Sequence, residues 1–171
     1  KDFTAFLRVD LFARFPEKAK AVDLVRWLDG PGLPDDAPLA ASEAFARVDA
    51  DVAAYRAGTR PLGAIPTAAY TSHEWLRFVR ALDGASLAQL HEVDARYGLT
   101  STGNAEVASQ WLALAARSGY PDADARIDRF LLEVGRPKLI KPIYAAVAAT
   151  PEGLSRARGL LERARSGYHA Q

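Results

Sequence analysis

The chain contains no cysteine and no methionine among its 171 residues. Without cysteine there is no disulfide scaffold, no thiol nucleophile and no thiolate ligand for zinc. The lack of cysteine fits the cytoplasm and the periplasm equally, so the compartment stays open. The sequence begins at Lys1 without an initiator methionine, and Arg8, Asp10 and Arg14 interrupt any signal-peptide-like apolar region. We therefore expect a piece of a longer protein.

An excess of charge of one sign is also missing. Lys and Arg number 22 against 21 Asp and Glu, which gives a net charge of +1. Sequence-independent nucleic-acid binding and membrane-surface binding both need a strong basic excess, so we expect neither partner. No apolar stretch approaches the ~18 residues of a membrane span. A hydrophobic content of 49% at this length favours a globular chain that buries its own core.

Apolar residues recur at helical spacing along nearly the whole chain. The clearest stripe is Ile127, Phe130, Leu131 and Val134, at i, i+3, i+4 and i+7. No segment shows the alternation of a strand. The predicted helices lie at about 42–57, 72–82, 86–96, 104–118 and 121–134, followed by one around 139–147 and one from 151 with Leu154, Ala157, Leu161 and Ala164 facing inward.

Helix starts and stops carry their own signals. Thr71 with Glu74 and Ser86 with Gln89 have the spacing of capping boxes, and Asn104 is an N-cap candidate. Glycine follows two of the predicted helices, at Gly98 and Gly119. Short turns between antiparallel helices, with no long central helix, favour an all-α helical solenoid of the armadillo or HEAT type over a four-helix bundle.

One segment has the composition of a linker, because residues 29–38 hold three prolines and two glycines. We predict short helices at 1–30, a linker at 31–39 and a helical domain at 40–171. The first segment is too short to form a domain, and we expect it to be the tail of a preceding one.

No catalytic or metal-binding motif is present. His73-Glu74 and His91-Glu92 begin an H-E-x-x-H pattern, but the position of the second histidine is Arg77 or Ala95. We expect both histidines to be solvated or helix-terminal residues. No serine lies in a G-x-S-x-G turn, and no phosphate-binding glycine pattern precedes a helix. Core packing is the favoured role of the three tryptophans, Trp27, Trp75 and Trp111. The sequence therefore predicts no catalytic residue and no metal ligand in this chain.

The segment 135–142, G-R-P-K-L-I-K-P, places Arg136, Lys138 and Lys141 around the start of a helix. Free N–H groups and the helix dipole already favour an anion there, so cations at this end imply a negative partner. Arg136 suits a carboxylate in particular. From the residues alone, a solvated or salt-bridged basic turn is favoured, and a ligand site is the alternative.

Three segments in order resemble a known family. They are W-L-D-G-P-G-L-P at 27–34, N-A-E-V at 104–107 leading to Trp111, and the G-R-P-K segment at 135–138. With Tyr168-His169 near the end, the chain resembles the C-terminal portion of the leukotriene A4 hydrolase type of zinc aminopeptidase, and its composition, rich in alanine and in arginine over lysine, indicates a bacterial homologue.

The resemblance implies a right-handed α-α superhelix that closes one side of a substrate cleft. Residues 1–30 would be the last helices of the upstream catalytic domain, a partner that carries the zinc outside this chain. Arg136 and Lys138 would bind the free carboxylate of a short peptide substrate, which makes the ligand-site interpretation the favoured one. Pro137 stands where the family often has methionine, and we expect it to hold Arg136 in an extended backbone conformation.

The resemblance also implies limits. The zinc ligands and the catalytic glutamate lie upstream in the family, so this chain alone is expected to be inactive. The epoxide hydrolysis of the family's namesake is not carried over to it. The alternative function is a stand-alone α-solenoid module that binds proteins or peptides, such as an acidic or C-terminal peptide segment.

Overall fold

The computed structural model describes residues 2–38 and 41–168. The chain divides into two compact units, residues 1–41 and 42–171. The first unit contains three short helices: α1 (Asp2–Phe6), which continues into a wider π-helical segment at Leu7–Phe12, α2 (Pro16–Ala19) and α3 (Leu24–Leu28).

Pro34 is buried in the first unit, but none of the described Val, Leu, Phe and Trp side chains of that unit is buried. Trp27 is 39% exposed, so the prediction that this tryptophan packs in a core is wrong for the described chain. The physical reason is size, because helices of four or five residues offer too little surface to cover an indole ring. The other large apolar side chains exposed here are Phe3, Phe6, Val9, Leu11, Phe15, Val22, Val25, Leu28 and Leu33.

The proline- and glycine-rich segment forms neither helix nor strand over residues 29–38, as its composition predicts. The Arg26 guanidinium stabilises the conformation of this segment by donating to the carbonyl oxygens of Pro31, at 2.9 Å, and Leu33, at 3.2 Å. The last predicted linker position, residue 39, lies outside the described residues. The assignment of residues 1–30 to a catalytic domain stays a prediction.

The described residues of the second unit, 42–168, form seven further helices, and each differs from its predicted bounds by only a few residues. They are α4 (Glu43–Arg56), α5 (Ser72–Ala81), α6 (Leu87–Tyr97), α7 (Ala105–Ser118), α8 (Asp124–Glu133), α9 (Pro137–Val147) and α10 (Pro151–Ala164). Single 3-10 turns lie at Leu62–Ala64, Thr67–Ala69, Leu99–Ser101, Pro121–Ala123 and Arg165–Gly167.

The predicted caps are confirmed. Both capping boxes are formed, at Thr71 with Glu74 and at Ser86 with Gln89. The Asn104 side chain accepts from the backbone N–H groups of residues 106 and 107. Gly98 and Gly119 end α6 and α7 at positive φ, a backbone region that favours glycine.

Helices α4, α5, α7 and α9 contact one another in that order, and α10 packs on α8 and α9. One continuous hydrophobic core runs through all of them. The largest side chains in it with almost no exposure include Trp111, Phe78, Phe130, Leu112 and Ile127. The described residues form helices and no strand, which confirms the all-α prediction. Helices that stack in sequence order are what the predicted superhelix requires. None of the described helices has the length and apolarity needed to cross a membrane.

The prediction for the inner face of α10 is partly wrong. Ala157 and Ala164 are buried, but Leu154 and Leu161 are 39% and 46% exposed, and Leu160 is buried instead. At 100° per residue, the buried face centres between residues 157 and 160, and the two exposed leucines lie roughly 70–90° away from it. The i+7 spacing alone did not reveal which of two neighbouring stripes meets the core.

Candidate functional site

The basic turn lies at the start of α9, where two side chains project from a rigid backbone. Arg136 is the N-cap residue, with φ −81° and ψ 113°, and Pro137 is the first helical residue. This extended conformation is what a residue before proline is expected to adopt. The Arg136 carbonyl oxygen accepts the first helical bonds, from the N–H groups of Leu139 and Ile140. The Lys138 side chain therefore projects from the first turn of a hydrogen-bonded helix.

A second proline lies inside the same helix. Pro142 has no N–H, so the Lys138 carbonyl lacks the usual helical donor. Pro137 fixes φ at the first helical residue, whereas Pro142 removes one hydrogen bond from the turn that carries Lys138. Lys141 is exposed one turn further on and forms no ion pair within residues 2–38 and 41–168.

The loop before Arg136 is held by the end of the described chain. A Cβ atom on Gly135 would lie 2.8 Å from the Gly167 carbonyl oxygen and 3.1 Å from Tyr168 Cα, so the two backbones are in direct contact. The Tyr168 hydroxyl lies 2.8 Å from that of Tyr144 and also donates to the Leu131 carbonyl oxygen. Burial, then the bond to Tyr168, raises the pKa of the Tyr144 hydroxyl. The position of Arg136 therefore depends on the C-terminal turn.

Glu106 of α7 is the anionic partner of both cations. Its Oε1 atom lies 2.9 Å from Lys138 Nζ and 3.9 Å from the nearest Arg136 guanidinium nitrogen. The side chains of Arg136 and Lys138 are 65% and 64% exposed, against 36% for Glu106. Both cations thus keep most of their surface available to a ligand.

Three helix N-termini lie side by side at this edge of the second unit. Asn104 Nδ2 donates to Ser72 Oγ at 3.2 Å and joins the starts of α7 and α5. Glu106 joins the starts of α7 and α9 through Lys138. The buried Ser109 hydroxyl donates to the Leu139 carbonyl oxygen at 2.6 Å. This bond fixes the axial register of α9 against α7. Three positive dipole ends therefore add to the field of the two cations.

The other candidates from the sequence do not gather into a site. His73 and His91 are exposed, as predicted, and His91 Nε2 lies 3.8 Å from an Asp122 oxygen. Trp111 is buried and donates from Nε1 to Thr100 Oγ1 at 2.8 Å. Trp75 is half-buried in an aromatic cluster with Tyr70, Phe78 and Tyr97. The core role is confirmed for these two tryptophans.

Metal ligands do not come together in the part of the chain that the structure describes. No group of three or more His, Cys, Asp or Glu side chains there could hold a metal ion. The basic turn brings the two cations Arg136 and Lys138 beside one carboxylate, Glu106, and this excess of positive charge suits an anionic ligand and not a divalent cation. His169 lies outside the described residues.

Sequence reasoning missed the roles of Glu106 and Tyr168. Both stand in segments that carry the family resemblance, but neither was predicted to contact the basic turn. The signal in the sequence was the unexplained pair of cations at a helix start, which required a carboxylate from elsewhere in the fold.

Comparison with protein-family models gives a match over part of the chain. The family described as "Leukotriene A4 hydrolase, C-terminal" matches residues 70–171, which is more than half of the chain. The matched region includes α5 through α10 and the whole of the basic turn.

Proposed function

Because the chain belongs to the family of leukotriene A4 hydrolase C-terminal domains, we propose that it forms one wall of the substrate cleft of a zinc-dependent aminopeptidase. In this role it binds the C-terminal carboxylate of short peptides through Arg136 and Lys138. The observation that carries the proposal is the pair of exposed cations at a helix start that is fixed by Pro137 and by the close contact of Gly135 with the C-terminal turn.

The geometry suits a carboxylate for three reasons. A guanidinium presents several parallel donors, which match the two oxygens of a carboxylate. Lys138 has three donor hydrogens and uses one of them on Glu106, so two remain for a ligand. The N-termini of α5, α7 and α9 add partial positive charge without moving when the ligand arrives.

The contribution of this chain to the reaction is positioning. A peptide held at its C-terminal carboxylate has its other end placed at a distance set by its length, which brings one bond to the reacting centre. We assign the zinc, which would activate the attacking water, to the upstream catalytic domain. The first unit, with its row of exposed phenylalanine, leucine and valine side chains, supplies the surface that would pack against that domain.

The test uses the full-length protein with tripeptides that carry a free or an amidated C-terminus. We expect Arg136→Ala to lower kcat/KM for the free-acid tripeptide by about tenfold, ~1.4 kcal/mol, and to leave the amide unchanged. This expected loss of binding free energy is at the low end of the range for removing one partner of a charged pair, because the Arg136 side chain is mostly exposed.

The matched control is Arg158→Ala, which removes an exposed arginine from α10, away from the basic turn. It should leave both substrates unaffected. Equal losses on the free acid and the amide after Arg136→Ala would contradict carboxylate binding. Binding of the free acid without any metal-dependent hydrolysis would instead favour a stand-alone peptide-binding module.

A further inference from the structure

Glu106 occupies an unusual position for a site that binds anions, because it places a negative charge between the two cations. One oxygen, Oε1, serves both Lys138 and Arg136. Together the three side chains carry one net positive charge. A ligand with a single carboxylate brings the cluster to neutrality, whereas a ligand with two negative charges leaves it negative.

The backbone of Glu106 is held in place independently of the cations. It lies in the first turn of α7, where the helix dipole favours an acidic side chain, and its backbone N–H donates to Asn104 Oδ1 at 3.1 Å. The buried bond from Ser109 to the Leu139 carbonyl oxygen keeps α7 and α9 in register one turn further along. The Glu106 carboxylate therefore stays within reach of the cations when a ligand binds.

A ligand carboxylate can join the cluster without displacing Glu106. Lys138 keeps two free donor hydrogens, and the contact to Arg136, at 3.9 Å, is too long for a hydrogen bond. The bound carboxylate then lies within a few ångströms of the Glu106 carboxylate, and the two repel each other. The repulsion grows when the ligand brings a second negative charge.

We propose that Glu106 determines specificity at the basic turn, by admitting ligand ends with one negative charge and disfavouring ends with two. Peptides that end in Asp or Glu, and phosphate dianions, belong to the disfavoured class. This inference rests on the proposed function of Arg136 and Lys138.

The test measures the binding of four labelled tripeptides to the full-length protein at low salt. Two end in leucine, as the free acid or the amide, and two end in glutamate or glutamine, both as free acids. We expect Glu106→Gln to strengthen binding of the leucine free acid about threefold and of the glutamate peptide about tenfold, with no change for the amide. The preference for glutamine over glutamate at the peptide end should shrink accordingly.

Two further variants make the result specific. Glu43→Gln removes another first-turn carboxylate, on α4, and changes the net charge equally, so it should change none of the four affinities. Glu106→Asp keeps the charge and should retain the preference for glutamine over glutamate even if it lowers stability.

The outcomes separate this inference from the proposed function. If Glu106→Gln weakens binding of the free-acid peptides, or leaves the preference for glutamine over glutamate unchanged, Glu106 does not discriminate ligands by their charge. Arg136 would still bind carboxylates in that case. If Arg136→Ala has no effect on the preference for free acid over amide, the proposed function itself fails and the inference fails with it.

Discussion

The contact between Gly135 and the C-terminal turn makes a quantitative prediction for Gly135→Ala. The added Cβ would lie 2.8 Å from the Gly167 carbonyl oxygen and 3.1 Å from Tyr168 Cα, both backbone atoms. These atoms cannot rotate away, so one of the two segments must move by a few tenths of an ångström. Overpacking of this kind costs about 1–3 kcal/mol, and the lower entropy of the unfolded alanine chain offsets about 0.4–1 kcal/mol.

We expect Gly135→Ala to lower the free energy of unfolding by about 1–2 kcal/mol. The assay is urea unfolding of the chain followed by tryptophan fluorescence, since buried Trp111 reports on the second unit. Gly103→Ala is the control, because a Cβ there meets no atom within 4 Å and the backbone is not left-handed. It should be neutral or slightly stabilising.

The reasoning also predicts a change at the basic turn. Any movement of residue 135 shifts the N-cap residue Arg136, so the Gly135→Ala protein should bind a free-acid tripeptide more weakly while its affinity for the amide stays the same. Equal stability of the Gly135→Ala and Gly103→Ala proteins would refute the close packing of the C-terminal turn on this loop.

Two further predictions concern the stability of the second unit. In α10, Gly159→Ala should raise the free energy of unfolding by about 0.5–1 kcal/mol, because no atom lies near its Cβ position and alanine favours the helix. Gly153→Ala should lower the free energy of unfolding, because its Cβ would overlap the Val147 carbonyl oxygen. The urea midpoints of the two variants test this directly. The hydrogen bonds from Arg77, at 2.5 and 2.6 Å, hold the pKa of Asp49 below its usual value, so this ion pair between α4 and α5 stabilises the fold above the unfolded pKa and loses that effect as pH falls through the folded pKa. Asp49→Asn should therefore cost more stability at about pH 6 than at about pH 2.5, and an equal cost at both values would contradict the role of the pair.

Local sequence signals predicted most of the fold. The capping boxes at Thr71 and Ser86 and the glycines at 98 and 119 act over one helical turn, so their outcome depends on few neighbours. The exposed faces of α10 and α3 show the limit of this reasoning. Whether Leu161 or Leu160 meets the core depends on how α10 packs against α8 and α9, and the spacing within α10 alone does not determine that packing.

For the candidate site, the sequence predicted the local placement of the cations but not the residues that contact them. The placement of Arg136 and Lys138 at a helix start follows from Pro137 and the apolar stripe behind it. Their partner Glu106 is about 30 residues earlier and becomes adjacent only because α7 and α9 pack side by side. Tyr168 likewise reaches Leu131 and Tyr144 through the last turn of the described chain, which no local pattern indicates.

The alignment of the N-termini of α5, α7 and α9 has a consequence for how such a domain could change during evolution. Neighbouring packed helices lie about 8–10 Å apart, and an extended peptide spans about 3.3 Å per residue. Gain or loss of one inner helix before α9 would therefore move the basic turn by the length of about three peptide residues. Under the proposed function, the number of stacked helices sets the length of the peptide that fits, and relatives with a longer or shorter stack should trim peptides of correspondingly different lengths.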